Sequence, residues 1–335
     1  MQLIDRRTFV GAPDFAAQVP VVNFVLPCYN EEAVLPETAT RLSALLDELK
    51  REGLIAPSSA AYFVDDGSRD RTWELIRSLA ASSPHFCGIR LSRNRGHQNA
   101  LLCGLMSVGG DALISLDADL QDDLGIVADM IRAFRAGHEV VYAVRRRRDS
   151  DRWFKRVTAE GYYRLLAAMG VNLVFNHADY RLLARRPLEA LRGYQEPHLF
   201  LRGLVPLLGY RSATVEFDRA ERFAGESKYP LGKMLALAWQ GVSSFSAYPL
   251  RLITGAGVVV SLVSLAMAVW ALAVRLFTDA ALPGWASTVI PMYFLGGIQL
   301  LGLGVIGEYL AKVFEAGKQR PRYQVESVCG DWGAS

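Results

Sequence analysis

Short apolar runs alternate with amphipathic stretches from Val19 to Arg148. The runs are rich in β-branched and aromatic residues, whereas the stretches between them carry apolar residues at helical spacing, as at Leu42, Leu46 and Leu49. This alternation predicts an α/β fold with a mostly parallel sheet flanked by helices. The predicted strands are Val21 to Leu26 (ended by Pro27), Ala61 to Val64, Cys87 to Leu91, Ala112 to Leu116 and Val140 to Val144, and the predicted helices include Glu31 to Lys50 and Arg71 to Ala80.

Two longer uncharged runs lie near the C-terminus. The first is Leu252 to Val274, and the second lies between Asp279 and Glu308, with its apolar part starting near Trp285. Each contains about 23 residues, and at about 1.5 Å per residue such a helix crosses a bilayer core of about 30 Å. The sequence therefore predicts a transmembrane hairpin with helices at about 252–275 and 285–309. A pair of buried core helices is the alternative.

Basic residues on both sides of the hairpin predict its orientation. The loop between the two helices offers Arg275 together with Asp279. The positive-inside rule therefore places both chain termini in the cytoplasm, in a multi-pass protein of the inner membrane. The flanking basic residues are Lys228, Lys233 and Arg251 before the hairpin and Lys312, Lys318, Arg320 and Arg322 after it.

An amphipathic stretch covers residues 231–251, directly before the first apolar helix. It carries Trp239 and Tyr248 among small polar residues. This composition is typical of an interfacial helix at headgroup depth, with a plain linker as the alternative. The predicted domains are therefore a globular cytoplasmic domain over residues 1–230, a juxtamembrane segment over 231–251, two transmembrane helices within 252–311 and a cytoplasmic tail over 312–335.

The charge balance disfavours a nucleic-acid partner. The chain has 37 basic and 34 acidic residues, so its net charge is only +3, and the densest basic run, Arg145 to Arg148, lacks interleaved aromatic residues. Beside a membrane, that run suits an anionic headgroup or a lipid phosphate. Arg222 and Lys228 flank Gly225 and form a candidate phosphate clamp. The four cysteines show no paired metal-ligand spacing.

Polar clusters follow several predicted strands, at the edge where α/β sheets bind ligands. Asp117 and Asp119 come after the fourth strand, and two carboxylates at a turn suit Mg²⁺ or Mn²⁺, with a plain surface loop as the alternative. Asp66 follows the second strand and suits a base or a ribose, with a helix cap in this segment as the alternative. Arg95 lies in a basic turn that suits phosphate oxygens or is a solvated charge cluster, and His97 by itself is interpreted as structural.

Together these segments resemble family 2 glycosyltransferases, which have the GT-A fold, a Rossmann-like sheet with flanking helices. The branch that the chain resembles is the polyprenyl-phosphate group, which includes bactoprenol glucosyltransferases and dolichol-phosphate mannose synthases. The resemblance covers about Val19 to Arg322. It is carried by Leu26 to Glu32, Val64 to Ser68, Asn94 to Gly96, Asp117 to Asp122, Ala178 to Leu182, Arg222 to Tyr229 and the two apolar C-terminal runs.

The resemblance implies roles for individual residues. Asp117 and Asp119 would bind the Mg²⁺ or Mn²⁺ that bridges the donor diphosphate, with Gln121 close by. Asp179 resembles a catalytic-site carboxylate and joins Asp119, Arg222 and Lys228 in the predicted catalytic set. The residues that would hold the base and ribose are Pro27, Tyr29, Glu31 and Asp66, and those that would meet phosphates of donor or acceptor are Arg95, Arg145, Arg222 and Lys228.

The expected activity is inverting transfer of a hexose from a nucleotide sugar, UDP-glucose or UDP-N-acetylglucosamine, to undecaprenyl or another polyprenyl phosphate. Because a phosphate acceptor is already nucleophilic, we expect Asp179 to position groups more than it abstracts a proton. GDP-mannose as the donor and a non-catalytic membrane scaffold are the alternatives. A processive synthase is disfavoured because the Gln-x-x-Arg-Trp motif is absent. The two-helix relatives imply a homo-oligomer, with a tetramer as one candidate.

Overall fold

The computed structural model describes residues 18–119, 123–145, 177–194, 200–217, 248–277 and 285–331. The chain divides into two compact units. The first comprises Met1–Arg164, Asn172–Lys228 and Pro321–Ser335, and the second comprises Leu165–Val171 and Tyr229–Arg320. The segment that follows the last helix therefore belongs to the same unit as the N-terminal part of the chain.

The first unit alternates strands and helices, as the hydrophobic pattern predicts. All five strands predicted from that pattern are present. The strands are β1 (Val22–Cys28), β2 (Ala61–Asp65), β3 (Phe86–Leu91), β4 (Ala112–Ser115), β5 (Val140–Arg145), β6 (His177–Ala184), β7 (Ser212–Phe217) and β8 (Val325–Cys329). The helices are α1 (Leu35–Arg51), α2 (Thr72–Ser82), α3 (His97–Ser107), α4 (Val127–Arg135, after a 3-10 turn at Leu124–Ile126), α5 (Arg185–Arg192) and α6 (Leu201–Leu207).

One sheet of eight strands in the order β7-β5-β6-β4-β1-β2-β3-β8 forms the centre of this unit. The inner strands β4, β1, β2 and β3 are parallel to one another, and β7 is parallel to β5. The pairs β4–β6, β5–β6 and β3–β8 are antiparallel. The parallel core confirms the prediction, whereas β6, β7 and β8 were not predicted. The parallel core also places the ends of β1, β2 and β4 at a common edge.

Strand β1 runs through Pro27 instead of ending before it, which corrects the predicted boundary. Proline lacks the N–H that a central strand normally donates. Val25 accepts a hydrogen bond from the Leu116 N–H, so alternate residues of β1 face β4. At Pro27 that side of the ladder is already open, because β4 ends at Ser115. Proline is tolerated here because β4 is no longer present to accept the missing hydrogen bond.

Helix α1 begins at Leu35, four residues after the predicted start at Glu31. Pro36 lies in its first turn, where its missing N–H needs no helical partner. Residues 31–34 precede the helix as a turn at the edge of the sheet, and Glu31 and Glu32 in it bond the loop after β2. Leu42 and Leu46 lie on the buried face of the helix, and burying each leucine contributes about 1.5–3 kcal/mol.

The second unit contains two long helices, α7 (Tyr248–Phe277) and α8 (Trp285–Gly317). Within the described part of the chain, one stretch is long and apolar enough to cross a membrane by length and composition. It is Phe294–Gly317 in α8, with 24 residues and a mean hydropathy of 1.5. The apolar stretch of α7, Ile253–Met267, is shorter. The two helices contact each other, since a Cβ on Gly302 would lie 3.4 Å from Ile253 Cγ2. Residues 231–247 of the expected juxtamembrane segment lie outside the described residues.

Candidate active site

The loops that follow β1 and β2 are joined by reciprocal hydrogen bonds. The Asn30 N–H donates to Ser68 Oγ at 3.0 Å, and the Arg69 N–H donates to Asn30 Oδ1 at 2.9 Å. Asn30 has a positive φ of 56°, which asparagine tolerates better than most residues. The Glu31 N–H donates to Thr72 Oγ1 at 2.9 Å. These contacts hold the two loops together at one edge of the sheet. Tyr29 on this edge is 39% exposed and is suited to stack on a flat ring.

Asp66 connects this edge to the loop after β3. Its side chain is buried and accepts the Arg95 N–H at 2.6 Å and the Gly96 N–H at 2.8 Å. Burial raises the pKa of Asp66, although these two hydrogen bonds lower it. Gly67 permits the close approach, because its φ is +68° and a Cβ there would lie 2.7 Å from the Arg93 carbonyl carbon. Asp66 therefore fixes the position of Arg95, whatever else it binds.

Asp117 and Asp119 follow the end of β4, and a backbone contact from α1 holds the turn between them. Thr38 Oγ1 donates to the Ala118 carbonyl at 2.9 Å. Burial raises the pKa of Asp117, His97 lowers it, and the Asp179 and Asp119 carboxylates raise it further. Crowded carboxylates of this kind are relieved by a cation, so the pair fits a divalent ion. Among the described residues no three His, Cys, Asp or Glu side chains converge as ligands.

Asp179 lies on β6 beside these aspartates and is held by three side-chain donors. Arg181 Nη2 donates to Asp179 Oδ1 at 2.5 Å. Arg202 Nη2 and Gln98 Nε2 each donate to Asp179 Oδ2 at 3.0 Å. Burial raises the pKa of Asp179, but Arg181 and Arg202 outweigh it, so the net pKa is lowered. Asp179 is therefore an ionised carboxylate whose oxygens already accept hydrogen bonds, which is unfavourable for a general base.

The same donors also attach the start of α6 to the site. Arg181 is fully buried and its Nη1 donates to the Leu201 carbonyl at 3.1 Å. Gln98 Oε1 accepts the Leu201 N–H at 3.1 Å. His97 Nε2 lies 3.5 Å from Asp117 Oδ1 and 3.9 Å from Asp179 Oδ2. One network thus connects the aspartates after β4, the carboxylate on β6 and the N-termini of α3 and α6.

Comparison with known proteins assigns this arrangement to a family. A family model described as Glycosyl transferase family 2 matches residues 24–192. The chain is 47% identical to "Uncharacterized glycosyltransferase YkoT" of Bacillus subtilis (strain 168), with 92% of this chain and 91% of that protein covered. The chain belongs to glycosyltransferase family 2. It is also 35% identical to "Prophage bactoprenol glucosyl transferase homolog" of Escherichia coli (strain K12), with 92% and 99% covered.

One more relative and one solved structure are similar to this chain. The chain is 34% identical to "Bactoprenol glucosyl transferase" of Shigella phage SfV, with 91% of this chain and 98% of the relative covered. A similar solved structure is that of mannosyltransferase PcManGT from Pyrobaculum calidifontis in complex with GDP-Man and Mn²⁺, at 19% identity and a TM-score of 0.46, with 90% and 86% covered. The expected GT-A α/β fold and glycosyltransferase activity are confirmed by the family.

The family 2 glycosyltransferase brings most of the expected residues to one edge of its sheet. Tyr29, Glu31, Asp66 and Arg95 lie on adjoining loops, and Pro27 pairs with Val64 within the sheet just below them. Asp117 and Asp179 are close enough to affect each other's ionisation, as are Asp117 and Asp119. Arg145 is the last residue of β5, and nothing is described of its side chain. Gln121, Arg222 and Lys228 lie outside the described residues.

Three side chains of this glycosyltransferase site, namely Gln98, Arg181 and Arg202, received no predicted role from the sequence. His97 by itself was interpreted as structural, yet it faces two site carboxylates. A signal for Arg181 was available, since residues two apart on a strand share a face and Arg181 stands two after Asp179. Arg202 carried no such signal, because it reaches Asp179 from α6, 23 residues further along the chain.

Proposed function

We propose that this glycosyltransferase moves a hexose from a nucleotide diphosphate sugar, UDP-glucose being the first candidate, to a polyprenyl phosphate. The observation that carries the proposal is the environment of Asp179, whose pKa is lowered by two arginines. An acceptor hydroxyl needs a base to remove its proton, whereas a phosphate with a second pKa near about 6 is already anionic. A site whose central carboxylate is paired with arginines therefore suits a phosphate acceptor. The relatives named bactoprenol glucosyl transferase support the same acceptor class.

In this proposal the edge of the sheet binds the donor. Tyr29, Glu31 and Asp66, beside Pro27, hold the base and ribose, while Arg95 and Arg145 face phosphates. Asp117 and Asp119 hold a divalent ion, with Gln121 nearby, and a bound Mg²⁺ or Mn²⁺ supplies charge stabilisation for the departing nucleoside diphosphate. Arg222 and Lys228 are assigned to the phosphate of the acceptor or donor.

The transfer follows as one displacement in the proposed mechanism. An acceptor phosphate oxygen forms a bond to the anomeric carbon while the bond from that carbon to the donor diphosphate oxygen breaks, and the diphosphate keeps the electron pair. Arg202 and Arg181 hold the Asp179 carboxylate in position. Asp179 orients the neighbouring cationic groups and removes no proton. Single displacement inverts the configuration, so an α-linked donor gives a β-linked lipid phosphate.

The apolar helices supply the proposed membrane anchor. Large side chains on both are more than half exposed, including Leu262 and Trp270 on α7 and Phe294 and Leu300 on α8. Exposed apolar surface on this scale marks a contact with lipid or protein. We assign a two-helix hairpin at about 252–275 and 285–309, with residues 1–230, the juxtamembrane segment 231–251 and the tail 312–335 on the cytoplasmic side of the inner membrane. A homo-oligomer, with a tetramer as one candidate, belongs to the same proposal.

A transfer assay tests the proposal directly. Purified protein in detergent is incubated with undecaprenyl phosphate, Mg²⁺ or Mn²⁺ and a panel of donors that includes UDP-glucose, UDP-N-acetylglucosamine and GDP-mannose. We expect one donor to give a metal-dependent lipid-linked sugar that is lost in Asp119→Ala. The control is Asp129→Ala, which removes an exposed aspartate paired with Arg132 on α4. Nucleotide binding without transfer from any donor would support the scaffold alternative, and an α-linked product by NMR would contradict single displacement.

A further inference from the structure

The segment after the last helix, residues 321–331, docks along the first unit and is called the C-terminal tail here. Arg322 Nη2 donates to the Tyr194 carbonyl at 2.5 Å, and the Ser92 N–H donates to the Gln324 carbonyl at 3.0 Å. Strand β8 then pairs antiparallel with β3. Cys87 Sγ donates to the Asp331 carbonyl at 3.3 Å. The tail thus completes the sheet beside the strand that leads into the Arg95 loop.

Two glycines leave room for this docking. A Cβ on Gly88 of β3 would lie 2.8 Å from Cys329 Sγ and 2.4 Å from Ile76 Cγ2. Gly330 has a φ of +94°, and a Cβ there would lie 2.8 Å from the Phe86 carbonyl oxygen. A side chain at either position would push the tail away from β3. The sequence is therefore adapted to close contact between the tail and the sheet.

A register shift brings one tail side chain next to Arg90 of β3. Arg90 lies opposite Ser327, while the next residue of β3, Leu91, lies opposite Val325, so Glu326 is the extra residue of a bulge. Bulges redirect side chains and are common near active sites. Glu326 Oε2 lies 3.4 Å from Arg90 Nε, and Arg90 Nε lies 3.5 Å from Asp65 Oδ2. Arg90 is therefore shared between a carboxylate of the tail and a carboxylate at the end of β2.

Asp65 needs this arginine because its own side chain is fully buried. Its Oδ1 accepts the Ser68 N–H at 3.1 Å, while Oδ2 has no hydrogen-bond donor among the residues that the structure describes. Burial raises the pKa of Asp65, and Arg90 is among the groups that lower it. Asp65 braces the turn whose Ser68 Oγ accepts the Asn30 N–H, and that turn also carries Asp66. A shift of Asp65 would therefore move both loops of the donor edge.

We propose that Arg90 is a positioning residue for donor binding and that the C-terminal tail, through Glu326, keeps Arg90 against Asp65. This inference rests on the proposed function, because it takes the edge formed by Tyr29, Asp66 and Arg95 as the nucleotide site. The Arg90 guanidinium also lies 5.9 Å from the centroid of the Trp73 ring on α2. Arg90 thus lies within ion-pair distance of two carboxylates and against one ring, although its Nε forms no hydrogen bond with a described residue, and the tail supplies one of these three contacts.

Nucleotide binding by the full-length protein in detergent tests this inference. UDP affinity is measured by calorimetry with Mn²⁺ present, and donor KM and kcat are measured in the transfer assay. Arg90→Gln should raise the UDP Kd about tenfold, because a buried charge loses its partner. Glu326→Gln should raise it about threefold, since that carboxylate is exposed. Each change should raise donor KM by a similar factor while kcat stays within about twofold of wild type. Arg90→Lys keeps the charge and should stay within about threefold of wild type.

A double variant and a matched control separate positioning from a general loss of stability. Because Glu326 acts through Arg90, Glu326→Gln should add nothing in the Arg90→Gln background. Asp331→Asn removes the same charge from the same tail. The Asp331 carboxylate raises the pKa of Tyr62 and Cys87, away from Arg90, so the UDP Kd should not change. Unchanged Kd and KM in Arg90→Gln, or fully additive effects in the double variant, would overturn the inference. Wild-type protein that binds no nucleotide would instead overturn the proposed function, and this inference with it.

Discussion

Replacing Arg181 by methionine should destabilise the first unit strongly. Arg181 is fully buried, and its guanidinium bonds Asp179 and the Leu201 carbonyl. Removing one partner of a buried ion pair costs about 3–5 kcal/mol, because the other charge is left uncompensated. Asp179 would keep Arg202 and Gln98 as donors, so the lower end, about 3 kcal/mol, is expected. At about 2–4 °C per kcal/mol, the melting temperature should fall by about 6–12 °C.

Thermal unfolding of the full-length protein measures this change. Cys28, Cys87 and Cys103 are buried, so a thiol-reactive fluorophore reports their exposure on heating. The control is Arg186→Met, since Arg186 is 44% exposed and pairs with Glu139 at 3.0 Å. Such a pair contributes about 1 kcal/mol at most, which predicts a fall of about 4 °C or less.

A double variant tests whether the uncompensated charge of Asp179 causes the loss of stability. Asp179→Leu combined with Arg181→Met removes both charges, so the double variant should unfold at a higher temperature than Arg181→Met alone. It should nevertheless transfer no sugar, because the site carboxylate is gone. If Arg181→Met melted no lower than Arg186→Met, the ion pair would not be the structural centre of the site and the reasoning would fail.

Three further predictions concern the same site. Asp179→Asn should lower kcat at least about tenfold with UDP binding retained; near-normal turnover with normal binding would contradict even a positioning role. Because the pKa of Asp179 is lowered in the folded protein, the stability it contributes is present above its unfolded pKa and is lost as the pH falls through the folded pKa. Arg181→Met removes one of the charges that lower this pKa, so the variant should lose less stability than wild type as the pH falls, as melting curves across the acid range would reveal. Gly67→Ala should weaken UDP binding and lower stability together, because its Cβ would lie 2.7 Å from the Arg93 backbone. The control is Gly53→Ala, which has a φ of +67° and nothing within 4 Å, so it should cost only the backbone strain of about 1–2 kcal/mol. Equal UDP affinity in the two variants would argue against the close approach at Gly67.

The parallel core of the sheet was predictable because the residues that specify each strand and helix lie close together in the sequence. Strands buried on both faces appear as continuous apolar runs, and the helices between them show an apolar face, as at Leu42 and Leu46. The loops at the carboxyl ends follow from the same pattern, which is why Asp66, Asp117 and Asp119 could be placed at one edge from the sequence. The start of α1 was missed because Glu31 and Glu32 form hydrogen bonds with the next loop, a contact between segments about 40 residues apart.

Strand β8 shows why contacts between distant segments could not be predicted from the sequence. Its alternating burial is weak, since most of its residues are exposed, and its partner β3 lies more than 200 residues earlier in the chain. No local pattern indicates that the chain returns to the first sheet after two long helices. Arg202 is a comparable case within the site, because its contact with Asp179 depends on where α6 packs.

The sequence by itself determined the fold class, the aspartates at the sheet edge and the two apolar helices, since each is expressed in residues close together along the chain. Only the tertiary structure decided that Asp179 is an ionised, arginine-held carboxylate, because its pKa depends on the charges of Arg181 and Arg202 and on burial. The tertiary structure also decided that Glu326 of the C-terminal tail meets Arg90 beside Asp65. Charges interact through space, so contacts between distant segments become visible only once the chain is folded.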